Sequence, residues 1–174
     1  AVHGGWLGNQ TVVNTANVGS GPVYIRVARP VCEDITTEDT PFIPGKANIL
    51  KDGNDVCIIT MGLMVPIALK AAEMLEAEGI SAAVVNMHTV KPIDAETILA
   101  MNEKCKGIVT AEEHSVIGGL GSAVAEVLAG HDGAKFERVG IQDKFGKSGK
   151  PDELFAAYGL TAENIVEKCK ATLA

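Results

Sequence analysis

GIVTAEEHSVIGGLGSAVAEVLAG, residues 107–130, carries most of the architectural information in this chain. It opens as a short apolar run that reads as a buried strand, Gly107–Ala111. It then passes Glu112, Glu113 and His114, crosses a glycine-rich loop, and enters a helix of small residues over Leu120–Leu128. Chemistry in open α/β sheets gathers just beyond the carboxyl ends of strands. The stretch is therefore a candidate active site, phosphate loop or contact surface.

The same rhythm extends to either side. Asp55–Met61 is a continuous apolar run closed by Gly62 and predicts a fully buried strand. Pro66 suits the first turn of a helix. Val65, Ala68, Leu69, Ala72 and Leu75 recur at helical spacing opposite Lys70, Glu73 and Glu76, and Gly79 ends the helix. Ile80–Met87 predicts a second strand, and Asp94 caps a helix carrying Ile98, Leu99 and Met101. Lys135–Ile141 predicts a further strand, Pro151–Tyr158 a short helix closed by Gly159, and Thr161–Leu173 a last helix capped by Thr161. Lys150 stands where a capping Ser or Thr is expected, a loss of about 1 kcal/mol at that helix start. Strands alternating with helices imply an α/β fold: a three-layer αβα domain around a mostly parallel, roughly five-stranded sheet.

Upstream, Pro22–Arg29 (PVYIRVAR) alternates as a strand, with Val23, Ile25 and Val27 on one face and Tyr24 and Arg26 on the other. Between Pro30 and Gly53 no apolar face repeats, which predicts a linker over 31–50 and a domain over 51–174. The first 21 residues offer at most a short strand at Thr11–Val13.

Composition narrows the classes. The chain is 47% apolar but only 4% aromatic, so its core is built from Ala, Val, Ile and Leu. A net charge of −7 gives no footprint for nucleic acid or an anionic membrane. No apolar run approaches the ~18 residues of a membrane span, and no signal peptide is visible. Cys32, Cys57, Cys105 and Cys169 form no CxxC pair, and Cys57 and Cys105 read as small buried hydrophobes. A reduced, cytoplasmic setting is the simplest expectation.

Gly118–Ala123 (GGLGSA) invites comparison with a dinucleotide loop. That device needs glycines turning directly from strand to helix, so that the helix N-terminus meets the phosphates. Here Glu112 to Ile117 intervene, and close packing of backbones is the better expectation. Glu112, Glu113 and His114 lack a second His or Cys at ligand spacing, which disfavours a metal. Extended neighbours point in opposite directions, so the two carboxylates do not share a proton. A solvated rim or interface hydrogen-bond set is expected instead. His88, at the end of the second strand, is a candidate for the same crest, and His131 for a solvated loop. Arg26 and Arg29 can form surface salt bridges or clamp a phosphate.

GPVYIRVAR, GNDVCIITMG followed by IALKAAEMLEAEGI, VVNMHTVKPID, VTAEEHSVIGGLGSAVAEVLA and IQDKFGKSGKPDELFAAYGLTAENIV together resemble the carboxyl-terminal part of transketolases. The similarity runs from about Gly21 to Ala174, in family order, and is near that of the small subunit of split transketolases. It implies a thiamine-diphosphate enzyme that moves a two-carbon ketol unit between sugar phosphates in pentose-phosphate metabolism, with Mg²⁺ or Ca²⁺ anchoring the diphosphate. The chain resembles the carboxyl-terminal domain plus a remnant of the pyrimidine-binding domain over 1–30. The metal-binding GDG…N motif and the glutamate that activates the aminopyrimidine are absent, so no metal ligand is expected here. Arg29 matches the arginine that binds the substrate phosphate. His3, in AVHGG, matches the active-site histidine through only a short motif, and WLGNQTVVNTANVGS is too short for the rest of that domain.

The resemblance therefore implies a chain inactive alone, partnered as a homodimer or with a separate N-terminal transketolase subunit. Glu112, Glu113, His114, Gly118, Gly119 and Gly121 are its interface candidates. Deoxyxylulose-phosphate synthase shares KP-[IL]-D and the glycine loop but would carry RYPRG in place of VARP. A 2-oxoacid dehydrogenase beta subunit is the next alternative. A non-catalytic dimerisation or regulatory module and a nucleotide-binding module are the readings from other classes.

Overall fold

The computed structural model describes residues 21, 22, 24 and 33–174. In chain order its elements are β1 (Asn48–Lys51), β2 (Val56–Thr60), α1 (Met64–Ala77), β3 (Ala82–Asn86), α2 (Ala95–Lys104), β4 (Gly107–Ser115), α3 (Leu120–Leu128), β5 (Lys135–Ile141), α4 (Pro151–Ala157) and α5 (Ala162–Leu173). The five strands form one sheet in the order β1-β3-β2-β4-β5. β3, β2, β4 and β5 run parallel, and β1 is an antiparallel edge.

The alternation of side chains along the central strands divides the core in two. Val56, Ile58, Val84, Val109 and Val139 pack beneath α1 and α5, against Ala68, Leu75, Ile165 and Cys169. Cys57, Ile59, Val85 and Ile108 point the other way, against Ile98 and Met101 of α2 and Leu120 and Val124 of α3. Both faces of the parallel strands are covered, which is why VCIIT and AAVVN contain unbroken small and β-branched residues. Gly107 lets α5 approach the start of β4: a Cβ there would lie 2.5 Å from Thr172 Cβ.

Two boundaries differ from the sequence-based expectation. β1 lies within the stretch read as linker, because NILK is a four-residue, half-exposed edge strand, too short to show alternation. β4 continues past Ala111 to Ser115, so Glu112, Glu113 and His114 are strand residues and not a loop. The ladder survives a register shift after Ala111, with Ser115 pairing Ile141 and the Val116 amide donating to Ile141 O at 3.0 Å.

The KPID segment has a local structural task. Asp94 caps α2, accepting from Thr97 N at 3.2 Å and Thr97 Oγ1 at 2.8 Å, and also accepts from Ala47 N at 2.9 Å just before β1. One carboxylate thus pins the edge strand to a helix start. Burial alone would push this carboxyl up, but the bonds from Ala47 and Thr97, with Lys46 nearby, together hold it below its ordinary value. A depressed folded-state value means that Asp94 stabilises the fold above the unfolded value of about pH 4. That contribution disappears as pH falls through the folded value. Asp94→Ala is expected to cost about 1–2 kcal/mol in urea unfolding at neutral pH. The difference from wild type should shrink on acidification, and a pH-independent difference would count against the charge.

A candidate functional site at the carboxyl end of the sheet

Glu112 is the organising side chain at this end. It sits on β4, 2% exposed. Its carboxylate accepts from Leu120 N at 2.7 Å through Oε2 and from Gly121 N at 2.8 Å through Oε1. These are amides of the first turn of α3, which have no acceptor within the helix. Gly119, the residue before α3, supplies no side-chain cap. A carboxylate at a helix N-terminus gains from both the free amides and the positive end of the helix dipole. The anion that such a terminus would take from a phosphate is therefore provided by the chain itself.

The glycines follow from that contact. A Cβ on Gly119 would lie 2.8 Å from Glu112 Cδ, and one on Gly121 would lie 2.7 Å from Arg138 Cδ and 2.9 Å from Thr110 Oγ1. Gly118 has φ +74°, a left-handed conformation in which glycine is unstrained. The loop between β4 and α3 is further held by Val116 O, which accepts from Ser122 Oγ at 3.1 Å and from Arg138 Nη1 at 2.9 Å. Gly118 N donates to Ser122 Oγ at 2.9 Å. Ser122 and Arg138 were not singled out from sequence. Ser122 lies inside GGLGSA and Arg138 alternates normally along β5, so neither carried a distinctive spacing.

The other candidates are dispersed. Glu113 and His114 are exposed, and His114 Nδ1 donates to Ser115 O at 2.9 Å. Opposite placement of Glu112 and Glu113 agrees with strand alternation. His88 is fully buried, its Nδ1 3.0 Å from Thr89 Oγ1 and its ring 4.5 Å from that of Phe42. β2 lies between β3 and β4, so His88 and His114 belong to strands about 10 Å apart and form no pair. Glu137 forms an ion pair with Lys168 at 3.0 Å. Cys57 and Cys105 are buried free thiols, and burial pushes both up from the ordinary thiol value. Cys169 is pushed up to about 12 by the same cause. Among the described residues no three His, Cys, Asp or Glu side chains gather to hold a metal ion. His3 and Arg29 lie outside the described residues.

The described residues do not fit a bound thiamine diphosphate: the Leu120 and Gly121 amides at the start of α3 are taken by Glu112, and among the described residues no cluster of His, Cys, Asp or Glu stands ready for a cation. What the crest offers is a rigid, hydrogen-bonded rim.

Residues 45–165 match the family model described as transketolase, C-terminal domain. The chain belongs to that family. It is 49% identical over 146 residues to a 6-deoxy-6-sulfo-D-fructose transketolase subunit of Clostridium sp. strain MSTE9, covering 84% of this chain and 45% of that protein. It is 48% identical to a putative transketolase C-terminal section of Methanocaldococcus jannaschii, covering 91% of this chain and 50% of the relative. A 1-deoxy-D-xylulose-5-phosphate synthase of Symbiobacterium thermophilum is 36% identical, with 94% of this chain and 26% of that protein covered. Among solved structures, one titled a split gene transketolase, inactive beta4 tetramer, superposes with a TM-score of 0.90 at 46% identity, covering 96% of this chain and 55% of the other. The chain spans about half the length of the transketolase relatives it matches.

The close approaches at Gly119 and Gly121 mean that a side chain at either position disturbs the domain's own packing. Gly119→Ala displaces the Glu112 carboxylate and should lower the unfolding free energy by about 2 kcal/mol, the worth of a charge-assisted hydrogen bond. Ile117→Ser, two residues away and exposed, should change it by less than about 0.5 kcal/mol. Chemical denaturation of the two variants checks the contrast; equal, small effects would contradict it.

Proposed function

We propose that this chain is the carboxyl-terminal portion of a transketolase, and that it contributes assembly surface to an enzyme whose reacting centre is built from other segments. The observation that carries this reading is the internal anion. Glu112 fills the helix terminus that would otherwise suit a diphosphate, while the family match spans the domain around it. In the complete enzyme the reaction is transfer of a two-carbon ketol unit between sugar phosphates. Thiamine diphosphate supplies the carbanion stabilisation, and Mg²⁺ or Ca²⁺ anchors it. Both groups belong to parts of the enzyme beyond residues 33–174, and the isolated chain is inactive in this reading.

Two residues of this chain are assigned roles on motif similarity. Arg29 binds the substrate phosphate as a bidentate fork, and His3 stands near the reacting sugar. The partner is a second copy, a separate subunit carrying the diphosphate-binding domain, or both, in the cytoplasm. Relatives named for 6-deoxy-6-sulfo-D-fructose and apulose-4-phosphate support a sugar or sugar-phosphate substrate class. A deoxyxylulose-phosphate synthase fragment is the second reading, favoured by the 36% identity over 167 residues and opposed by VARP after the upstream strand.

Mixing the chain with a large transketolase subunit, thiamine diphosphate and Mg²⁺ tests the proposal. Ketol transfer from xylulose 5-phosphate is expected only in the mixture, and Arg29→Ala should raise KM for the phosphorylated donor roughly 10-fold or more, by loss of a charge-assisted contact. Turnover by the chain alone, or condensation of pyruvate with glyceraldehyde 3-phosphate by the mixture, would overturn it.

A further inference from the structure

Residues 36–48 are fastened along the connection from β3 to α2. Thr36 is buried, and Thr40 N donates to Thr37 O at 3.1 Å to close a turn. The ring of Phe42 lies 4.5 Å from that of His88, just past the end of β3. Lys46 N donates to Ile43 O at 2.9 Å in a second turn, and Asn48 Nδ2 donates to Pro41 O at 3.2 Å. Gly45, at φ +84°, brings the backbone against KPID, where a Cβ would lie 3.1 Å from Pro92 Cγ. Lys46 Nζ reaches Glu96 Oε2 at 2.7 Å and Asp94 Oδ1 at 3.8 Å, and Ala47 N donates to Asp94 Oδ2 at 2.9 Å. A ring contact, a close backbone approach, an ion pair and the cap of α2 together make this segment a strap, seated before the chain enters β1.

Arg29 stands nineteen residues before Asn48 but only seven before Thr36. At roughly 3.4 Å per residue, a free tether from β1 would let Arg29 stray about 65 Å, whereas a tether from Thr36 limits it to about 25 Å. The effective concentration of a tethered group falls with about the −3/2 power of tether length, so seating the strap raises that of Arg29 about fourfold. Release of the strap would spread the same arginine over a larger volume without changing its chemistry.

We propose that the strap is a positioning element for the substrate phosphate. Phe42, Lys46 and Asp94 seat residues 36–47 on the β3–α2 connection and thereby keep Arg29 within reach of the donor. None of the three touches substrate, and all act through Arg29. This rests on the reading of the chain as a transketolase portion in which Arg29 binds phosphate, and it adds what holds that arginine near its ligand.

The test is ketol transfer by the chain mixed with a large transketolase subunit, thiamine diphosphate and Mg²⁺, with glycolaldehyde as acceptor. The donor is either xylulose 5-phosphate or hydroxypyruvate, which carries no phosphate. In Phe42→Ser with Lys46→Ser, KM for xylulose 5-phosphate should rise about fourfold, while kcat and the KM for hydroxypyruvate stay at wild-type values. Both substitutions lie on the strap, one half-buried and one exposed, so α2 keeps its cap. Asp94→Ala should shift the same KM. In an Arg29→Ala background the strap substitutions should add nothing, the non-additivity of residues that act through one another. Faster hydrogen exchange at the Thr40 and Lys46 amides, with the central strands still protected, shows that the strap has loosened in a folded domain. A loosened strap with an unchanged KM for xylulose 5-phosphate would overturn the positioning role and leave the proposed function standing. An equal rise for both donors, or a further fourfold rise on Arg29→Ala, would overturn it as well. A wild-type mixture that transfers ketol from neither donor would overturn the proposed function and this role with it.

Discussion

A carboxylate buried against the first turn of a helix organises this end of the molecule. Glu112 satisfies the amides of Leu120 and Gly121, and the rest of the β4–α3 connection is shaped to permit it. Gly119 is small because the carboxylate passes close to it, and Gly121 is small because Arg138 crosses it. Arg138 in turn reaches Val116 O, so β5 supports the loop that β4 and α3 create. A buried, paired charge of this kind stabilises chiefly by its geometry, since removing one partner leaves donors without acceptors in a low-dielectric interior.

The same arrangement distinguishes this domain from α/β folds that bind nucleotides at a glycine-rich loop. A glycine-rich loop that leads into a helix is a ready anion site. Here the anion is a side chain of the preceding strand, so the loop becomes a structural rim rather than a ligand cradle. Among the described residues the glycines serve the approach of Glu112 and Arg138 to α3.

Much of the fold was legible because the parallel strands are covered on both faces. Val56–Thr60 and Ala82–Asn86 read as unbroken small and β-branched runs, and the helices carry clear apolar faces and caps, including Asp94 and Thr161. The edge strand Asn48–Lys51 was missed because four half-exposed residues show no period. Thr161 caps as expected, accepting from Asn164 N at 3.3 Å, and Lys150 shows how chemistry modifies expectation. Its ammonium has no acceptor, yet Glu153 Oε2 accepts from Lys150 N at 3.3 Å, which supplies one half of a capping box. The importance of the GGLG segment was legible, but its partner was not. Spacing along the chain shows that Glu112 precedes the glycines by several residues, and not that its carboxylate reaches the Leu120 and Gly121 amides of α3.

Native-state hydrogen exchange at two amides tests the central claim most directly. Leu120 N and Gly121 N have no intrahelical acceptor, so their protection depends on Glu112. In Glu112→Ala both should lose protection selectively, while Ala123 N, which donates to Gly119 O, serves as the reference within the same helix. Exchange at Leu120 and Gly121 that remains as slow in the variant as in the wild type, relative to Ala123, would contradict the account.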